Sequence, residues 1–173
     1  LTINQKEVSE PTVSGSYIYN GSIQTVTLVG LESYMSVVGN KATNAGSYEV
    51  VVTLDNNHKW AQGNDGVVAW SIAKANASLS VEDLEVELGA EIKVNYETSS
   101  NGQVTIKFYQ NNVEVTPDAT GEYKVVVSVA EGSNHKAVEA EATLTIVLSA
   151  TSVELSKDST TINVGENETI EIK

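Results

Sequence analysis

Residues 44–54, Asn44-Ala45-Gly46-Ser47-Tyr48-Glu49-Val50-Val51-Val52-Thr53-Leu54, return 75 positions later as Ala119-Thr120-Gly121-Glu122-Tyr123-Lys124-Val125-Val126-Val127-Ser128-Val129. A little further on, Asn57-His58-Lys59 returns as Asn134-His135-Lys136, now 77 positions later. A period of this length is domain-sized, so the chain reads as a tandem array of similar modules. Each module of about 75 residues is large enough to bury a core of its own, though near the lower limit for doing so.

Within the repeated phrase the pattern has a period of two. Tyr48, Val50, Val52 and Leu54 fall on one face of a strand, with Glu49, Val51 and Thr53 on the other. Tyr123, Val125, Val127 and Val129 do the same, with Lys124, Val126 and Ser128 opposite. Alternation in β-branched and aromatic residues predicts half-buried strands. Further strands are expected over 24–29, 67–72, 84–88, 91–96, 104–109 and 142–147. Between them lie turn-forming clusters: Asn20-Gly21, Asn56-Asn57, Gly63-Asn64-Asp65-Gly66, Ser99-Ser100-Asn101-Gly102 and Gln110-Asn111-Asn112. Short strands with frequent turns and no amphipathic helix predict an all-β sandwich or barrel.

A third repeated element marks module edges. Leu1-Thr2-Ile3, Trp70-Ser71-Ile72 and Leu144-Thr145-Ile146 each look like the last strand of a unit. The expected division is residues 1–75, residues 76–148, and a partial third module over 149–173, with residues 1–5 ending a preceding repeat or recruited into the first module. Ala73-Lys74-Ala75-Asn76 is too short a linker to allow much freedom, which predicts an elongated rod. In 149–173, Ile162-Asn163-Val164-Gly165 echoes Val86-Glu87-Leu88-Gly89. A stretch this short cannot form a core alone and is expected to pair with the second module or a neighbouring chain.

Charge narrows the function. The formal net charge is −13, and all 10 basic residues are Lys. Without Arg, and strongly acidic, the chain is a poor candidate for binding nucleic acid or an anionic membrane surface. No run approaches the roughly 18 apolar residues of a membrane span, so no membrane insertion is expected. Cysteine is absent, which removes disulfides, thiolate metal sites and Cys nucleophiles.

These residues carry a resemblance. Tyr17-Ile18-Tyr19-Asn20-Gly21, then Asn44-Ala45-Gly46-Ser47-Tyr48, then Lys59-Trp60 and Trp70-Ser71-Ile72, resemble the "YNG…NAGTY…W" immunoglobulin-like repeats of bacterial surface proteins. The second module is similar to the first. The tail, Val153-Glu154-Leu155-Ser156 through Ile162-Asn163-Val164-Gly165-Glu166, is similar to the opening of group 2 bacterial Ig-like domains of intimin-type adhesins. The resemblance implies tandem, antiparallel immunoglobulin-like sandwiches at the bacterial cell surface or outside the cell. Such repeats serve mainly as stalks and spacers. A physical reading points to the same fold: Gly46-x-Tyr48-x-Val50 and Gly121-x-Tyr123-x-Val125 fit a Tyr corner, with Val where antibody domains carry Cys. Tyr48 and Tyr123 are the expected corner residues.

Candidate sites are sparse. His58 and His135 occupy equivalent places in successive repeats, one module apart, and read as surface turn residues rather than a metal or acid–base pair. The Asp55-Asn56-Asn57 and Asn64-Asp65-Gly66 turns are rich in oxygen but match no EF-hand spacing. The pairs Glu85/Glu87 and Glu139/Glu141 each share a strand face, and nothing suggests a cleft around them. A Lys–Asn isopeptide crosslink would require a buried Lys. Trp60, Tyr17, Tyr19 and Tyr34 lie in the first module and could stack on sugar rings, whereas Trp70, in the closing strand, reads as core. No catalytic motif, cofactor motif or metal site is recognised. The expectation is a non-catalytic spacer whose partners are neighbouring repeats of the same chain. The alternative is a module that binds an extracellular glycan or host protein through those four aromatics.

Overall fold

The computed structural model describes residues 4–149 and Val164; the expected strands of 151–173 and the Leu1-Thr2-Ile3 segment lie outside the described residues. The described residues are all-β, with 17 strands and no helix. The strands gather around two separate hydrophobic clusters.

The first cluster belongs to β1 (Lys6–Val8), β2 (Thr12–Ser14), β3 (Tyr17–Ile18), β4 (Gln24–Thr25), β5 (Thr27–Val29), β6 (Met35–Val38), β7 (Lys41–Ala42), β8 (Gly46–Leu54), β9 (His58–Trp60) and β10 (Val67–Ala73). Its main sheet has the order β3-β10-β8-β6, and β2-β5, β4-β7 and β1-β9 form smaller pairs. The second cluster belongs to β11 (Leu79–Val81), β12 (Leu84–Glu87), β13 (Tyr96–Thr98), β14 (Val104–Gln110), β15 (Val113–Glu114), β16 (Gly121–Val129) and β17 (Val138–Val147). Its main sheet runs β12-β17-β16-β14-β15, with β11-β13 as a separate pair. The two main sheets share one connectivity. An early strand lies beside the closing strand, which pairs with the tyrosine-bearing strand, which pairs with the strand two before it, β6 or β14.

One feature departs from a purely antiparallel sandwich. The early strand runs parallel to the closing strand in both units: Tyr17 sits opposite Ile72, and Leu84 opposite Leu144. β1 also runs parallel to β9, with Lys6 opposite His58. A strand that returns to the sheet after crossing from the opposite layer need not reverse direction, because no tight turn joins it to its neighbour.

The cores follow from the alternation. Val50 and Val52 on β8, and Val125 and Val127 on β16, are buried in the same clusters as residues of the closing strand: Trp70 and Ile72 in the first unit, Leu144 and Ile146 in the second. Trp70 lies opposite Tyr48, and Leu144 lies opposite Tyr123. Both tyrosine hydroxyls donate to a backbone carbonyl four residues upstream, Tyr48 to Asn44 at 2.6 Å and Tyr123 to Ala119 at 2.8 Å. No polar or charged side chain is buried among the described residues, so no described Lys meets the condition for an isopeptide crosslink.

The outward face is less uniform than its pattern. Val51 and Val126 occupy the same repeat position, yet Val51 is 47% exposed and Val126 only 8%. Val51 lies between Val38 and Val67 on adjacent strands. Val126 lies between Lys107 and Glu141, whose longer stems flank it. Lys107 is held in place by Glu114 at 2.8 Å, and Glu141 by Lys124 at 2.9 Å.

Two expected strands come out differently. The stretch 24–29 is interrupted at Val26, which turns into the core while its N–H donates to Asn40 at 2.9 Å. Residues 91–95 are not strand, and pairing begins only at Tyr96. Ile92 and Val94 still pack on the second cluster, so their alternation reports burial without a ladder. Glycine is required at Gly66, where φ is +80° and an added Cβ would lie 2.5 Å from Val52 O and 2.7 Å from Trp60 Nε1. The Glu10 carboxylate holds this turn by accepting the N–H groups of Asp65 and Gly66.

Tyr123→Phe is expected to cost the second unit about 1 kcal/mol, seen as a lower Tm, since its hydroxyl both donates to Ala119 and accepts from it. Gly66→Ala is expected to destabilise the first unit by about 2 kcal/mol, because a positive φ and a backbone contact act together. A Tm unchanged by either substitution would contradict the corresponding contact.

Candidate functional site: the clamp at Asn134

The most elaborate polar arrangement among the described residues lies where the two units meet. The segment Ala73-Lys74-Ala75 leaves β10 with each residue tied down. Ala73 O accepts Tyr19 N–H at 2.9 Å. Lys74 Nζ donates to Glu131 Oε1 at 2.5 Å and to Gly132 O at 2.7 Å. Ala75 N–H donates to Asn134 O at 3.0 Å, Ala75 O accepts Lys136 N–H at 2.9 Å, and Ala75 forms a parallel bridge with His135. The linker is therefore docked onto the Asn134-His135-Lys136 turn.

Asn134 adds a second set of contacts through its side chain. Its Oδ1 accepts Ala45 N–H at 2.8 Å, and its Nδ2 donates to Asn44 Oδ1 at 3.1 Å. Asn44 and Ala45 sit just before β8 in the first unit, and Asn44 O also accepts the Tyr48 hydroxyl. One carboxamide thus grips the turn that the tyrosine braces from below. The turn bearing Asn134 is itself pinned: Ser133 N–H donates to Asn101 Oδ1 at 2.9 Å, Asn101 Nδ2 donates to Ser133 Oγ at 3.1 Å, and Gly132 N–H donates to His135 O at 3.0 Å. The Tyr19 ring meets the His135 ring edge-on, with centroids 5.3 Å apart. Hydrogen bonds of this kind contribute about 1 kcal/mol each, and half-burial of Asn134 raises the cost of losing them.

The Lys74–Glu131 pair is more exposed, and its contribution is correspondingly weaker. The hydrogen bond from Lys74, with its positive charge, holds the Glu131 carboxyl below the usual carboxylate range.

The residues singled out from sequence are dispersed. Tyr17 stacks edge-on against Trp70 at 5.5 Å; its hydroxyl donates to Ser14 O and accepts Thr27 N–H. Tyr19 lies at the junction. Tyr34 stacks flat on His58, with centroids 3.8 Å apart. Trp60 packs against the first core beside Gly66. All four are half-buried, and no two of them are in ring contact with each other. The exposed apolar residues that do align are Val38, Val51 and Val67, which lie side by side across β6, β8 and β10. Trp70 is core, with 5% exposure.

The histidines are not simple surface turns. Both are half-buried. His58 opens β9, with its Nδ1 2.6 Å from the Asp55 carboxylate, and His135 takes part in the junction. The oxygen-rich turns use their carboxylates locally: Asp55 accepts Asn57 N–H and Asp65 accepts Val67 N–H. Among the described residues no group of three or more His, Asp or Glu converges as a metal site would require. The strand carboxylates also act singly, Glu139 accepting from Ser128, Glu141 from Lys124 and Glu87 from Ser149.

Asn134 and Lys74 were not distinguishable in the sequence as functional residues. A signal that could have drawn attention to Asn134 is the change of the repeat offset from 75 to 77 at Asn57-His58-Lys59, marking a turn that differs locally while keeping its three residue types; nothing comparable marks Lys74. The chain matches no protein-family model and no curated protein sequence.

Asn134→Ala is expected to speed exchange of the Ala45 amide about tenfold, with both cores intact, because the acceptor of that N–H is removed. Unchanged exchange would exclude the clamp. Acid is expected to weaken the junction further. A carboxyl whose folded pKa is depressed contributes stability above its ordinary value and loses it as pH falls through the lowered one. Glu131 is therefore expected to release Lys74 as pH falls through its lowered pKa, below the ordinary range of a carboxyl, seen in the Glu131 carboxyl and Lys74 side-chain NMR shifts.

Proposed function

We propose that the chain is a non-catalytic spacer of immunoglobulin-like repeats from a bacterial surface or secreted protein, setting the direction in which an adhesin-like or multidomain protein projects. The observation that carries this reading is the clamp: linker backbone, Lys74 and the Asn134 carboxamide all bind across the junction. A chain that needs only to tether two domains has no use for a linker fixed at Ala73, Lys74 and Ala75. Flexible tethers are rich in Gly and Ser and make no such contacts. The shared strand connectivity and the resemblance of Asn44-Ala45-Gly46-Ser47-Tyr48 to bacterial repeats support the family and the extracellular location.

In this reading the two sandwiches form a stiff, elongated rod. The net charge of −13 resists self-association. Neither cofactor nor metal takes part, and the partners are adjoining repeats. Binding of a glycan or host protein by Trp60, Tyr17, Tyr19 or Tyr34 would require those half-buried rings to be reached separately.

Residual dipolar couplings on the full chain test the reading. One alignment tensor is expected to fit both units, and Asn134→Ala combined with Lys74→Ala is expected to uncouple them. Separate tensors in the unsubstituted chain would overturn the spacer role. A glycan that shifts the Trp60 indole resonance would favour the binding module instead.

A further inference from the structure

The junction at Asn134 has an unoccupied counterpart at the other end of the first unit. There, Lys6 N–H donates to Asn57 O at 2.9 Å, as Ala75 N–H donates to Asn134 O at 3.0 Å. Lys6 lies parallel and opposite to His58, as Ala75 does to His135. The side chain one residue earlier also reaches the turn: Gln5 Nε2 donates to Asn56 O at 3.0 Å, where Lys74 donates to Gly132 O. The incoming strand is therefore received in the same way at both ends. What differs is the carboxamide. Asn134 is half-buried against Asn44 and Ala45, whereas Asn57 is exposed and its side chain is bonded to no described residue.

We propose that the Asn57 turn is a docking surface for another module of the first unit's type, which presents its Asn44–Ala45 turn to the Asn57 carboxamide. The occupant is specified by chemistry. A carboxamide that donates and accepts at once needs an N–H and a side-chain oxygen side by side, and Asn44-Ala45 offers both. The corresponding turn of the second unit is Ala119-Thr120, which has Ala where Asn44 supplies its oxygen and carries its hydroxyl one residue later, at the position of Ala45. The surface therefore selects a first-type module over a second-type one, a preference made by leaving a polar group unpaired in the wrong complex. The ring contact is not duplicated, since Tyr34 already covers one face of His58. The dock relies on the carboxamide and the received strand.

This inference rests on the spacer reading, and the test separates the two. Residues 4–72 are duplicated in tandem ahead of residue 4 of the full chain, so that Ile72 of the added copy precedes Asn4. The added copy's Ala45 amide is expected to exchange about tenfold more slowly than in the same chain carrying Asn57→Ala in the original first unit. Asn134→Ala is expected to leave that amide unchanged. Residual dipolar couplings are expected to orient the added copy on the first unit as the first is oriented on the second. A fast-exchanging amide in a folded added copy, or a separate tensor for that copy alone, overturns the dock while leaving the spacer intact. Separate tensors for all units overturn the spacer itself. If this join prevents folding, a second version carrying Gln5→Lys and Lys6→Ala at the join restores the linker already accommodated before Asn134, and the same outcomes decide.

Discussion

The structure depends on keeping two nine-residue strands dry on one side. β8 and β16 are interior strands, each next to the closing strand of its sheet, and each holds alternate valines at the centre of a core. Each also faces the closing strand in a fixed register, so the Tyr of one strand meets the Trp or Leu of the next. A slip of one residue would turn Glu49 or Lys124 inward and expose the valines, which makes the register costly to change. The tyrosine hydroxyl then fixes where the preceding turn sits, because it bonds to a carbonyl four residues upstream. In the first unit that carbonyl belongs to Asn44, so the position of the junction is set from inside the core.

The sequence made the strands β8, β10, β14 and β16 legible because their alternation is long and their turns are rich in Gly and Asn. It also separated the two faces of the repeated strands correctly. It misjudged residues 91–95, since alternation of Ile92 and Val94 reports which side chains are buried and not whether the backbone pairs. It had no means of seeing the parallel pairings, because strand direction is set by where the chain returns and not by local pattern. The contrast between Val51 and Val126 was equally out of reach. The burial of each depends on neighbours on adjacent strands, valines in one case and the long Lys107 and Glu141 in the other, which only the register identifies.

The candidate site was less legible than the fold. Aromatic residues draw attention as ligand platforms, yet here each is used up singly: Tyr17 on Trp70, Tyr34 on His58, Tyr19 on His135. The residues that join the units include Asn44, Asn134, Lys74, Ala45 and Ala75, all of inconspicuous types. Their role comes from side-chain and backbone groups meeting partners far away in the chain, a pairing that no single sequence reveals. The recurrence of Asn-His-Lys reads from sequence as a surface turn, and only the contacts of Asn134 show a use beyond reversing the chain.

The chemistry of the joint bears on the conditions under which it holds. An apolar interface between units would strengthen association of any copies that met, and exposed apolar faces invite indiscriminate contact. A carboxamide clamp avoids this, since it is satisfied only by a partner with a donor and an acceptor in the right positions. It is also uncharged, so neither salt nor moderate acid removes it. The Lys74–Glu131 pair alongside it is exposed, and salt screens such a pair while acid neutralises it. The two contacts therefore fail under different conditions. High salt or low pH releases the Lys74 carboxylate contact and leaves Asn134 holding Asn44 and Ala45. The amide contacts thus persist where the ion pair does not, and the ion pair adds to them where the surrounding solution permits it.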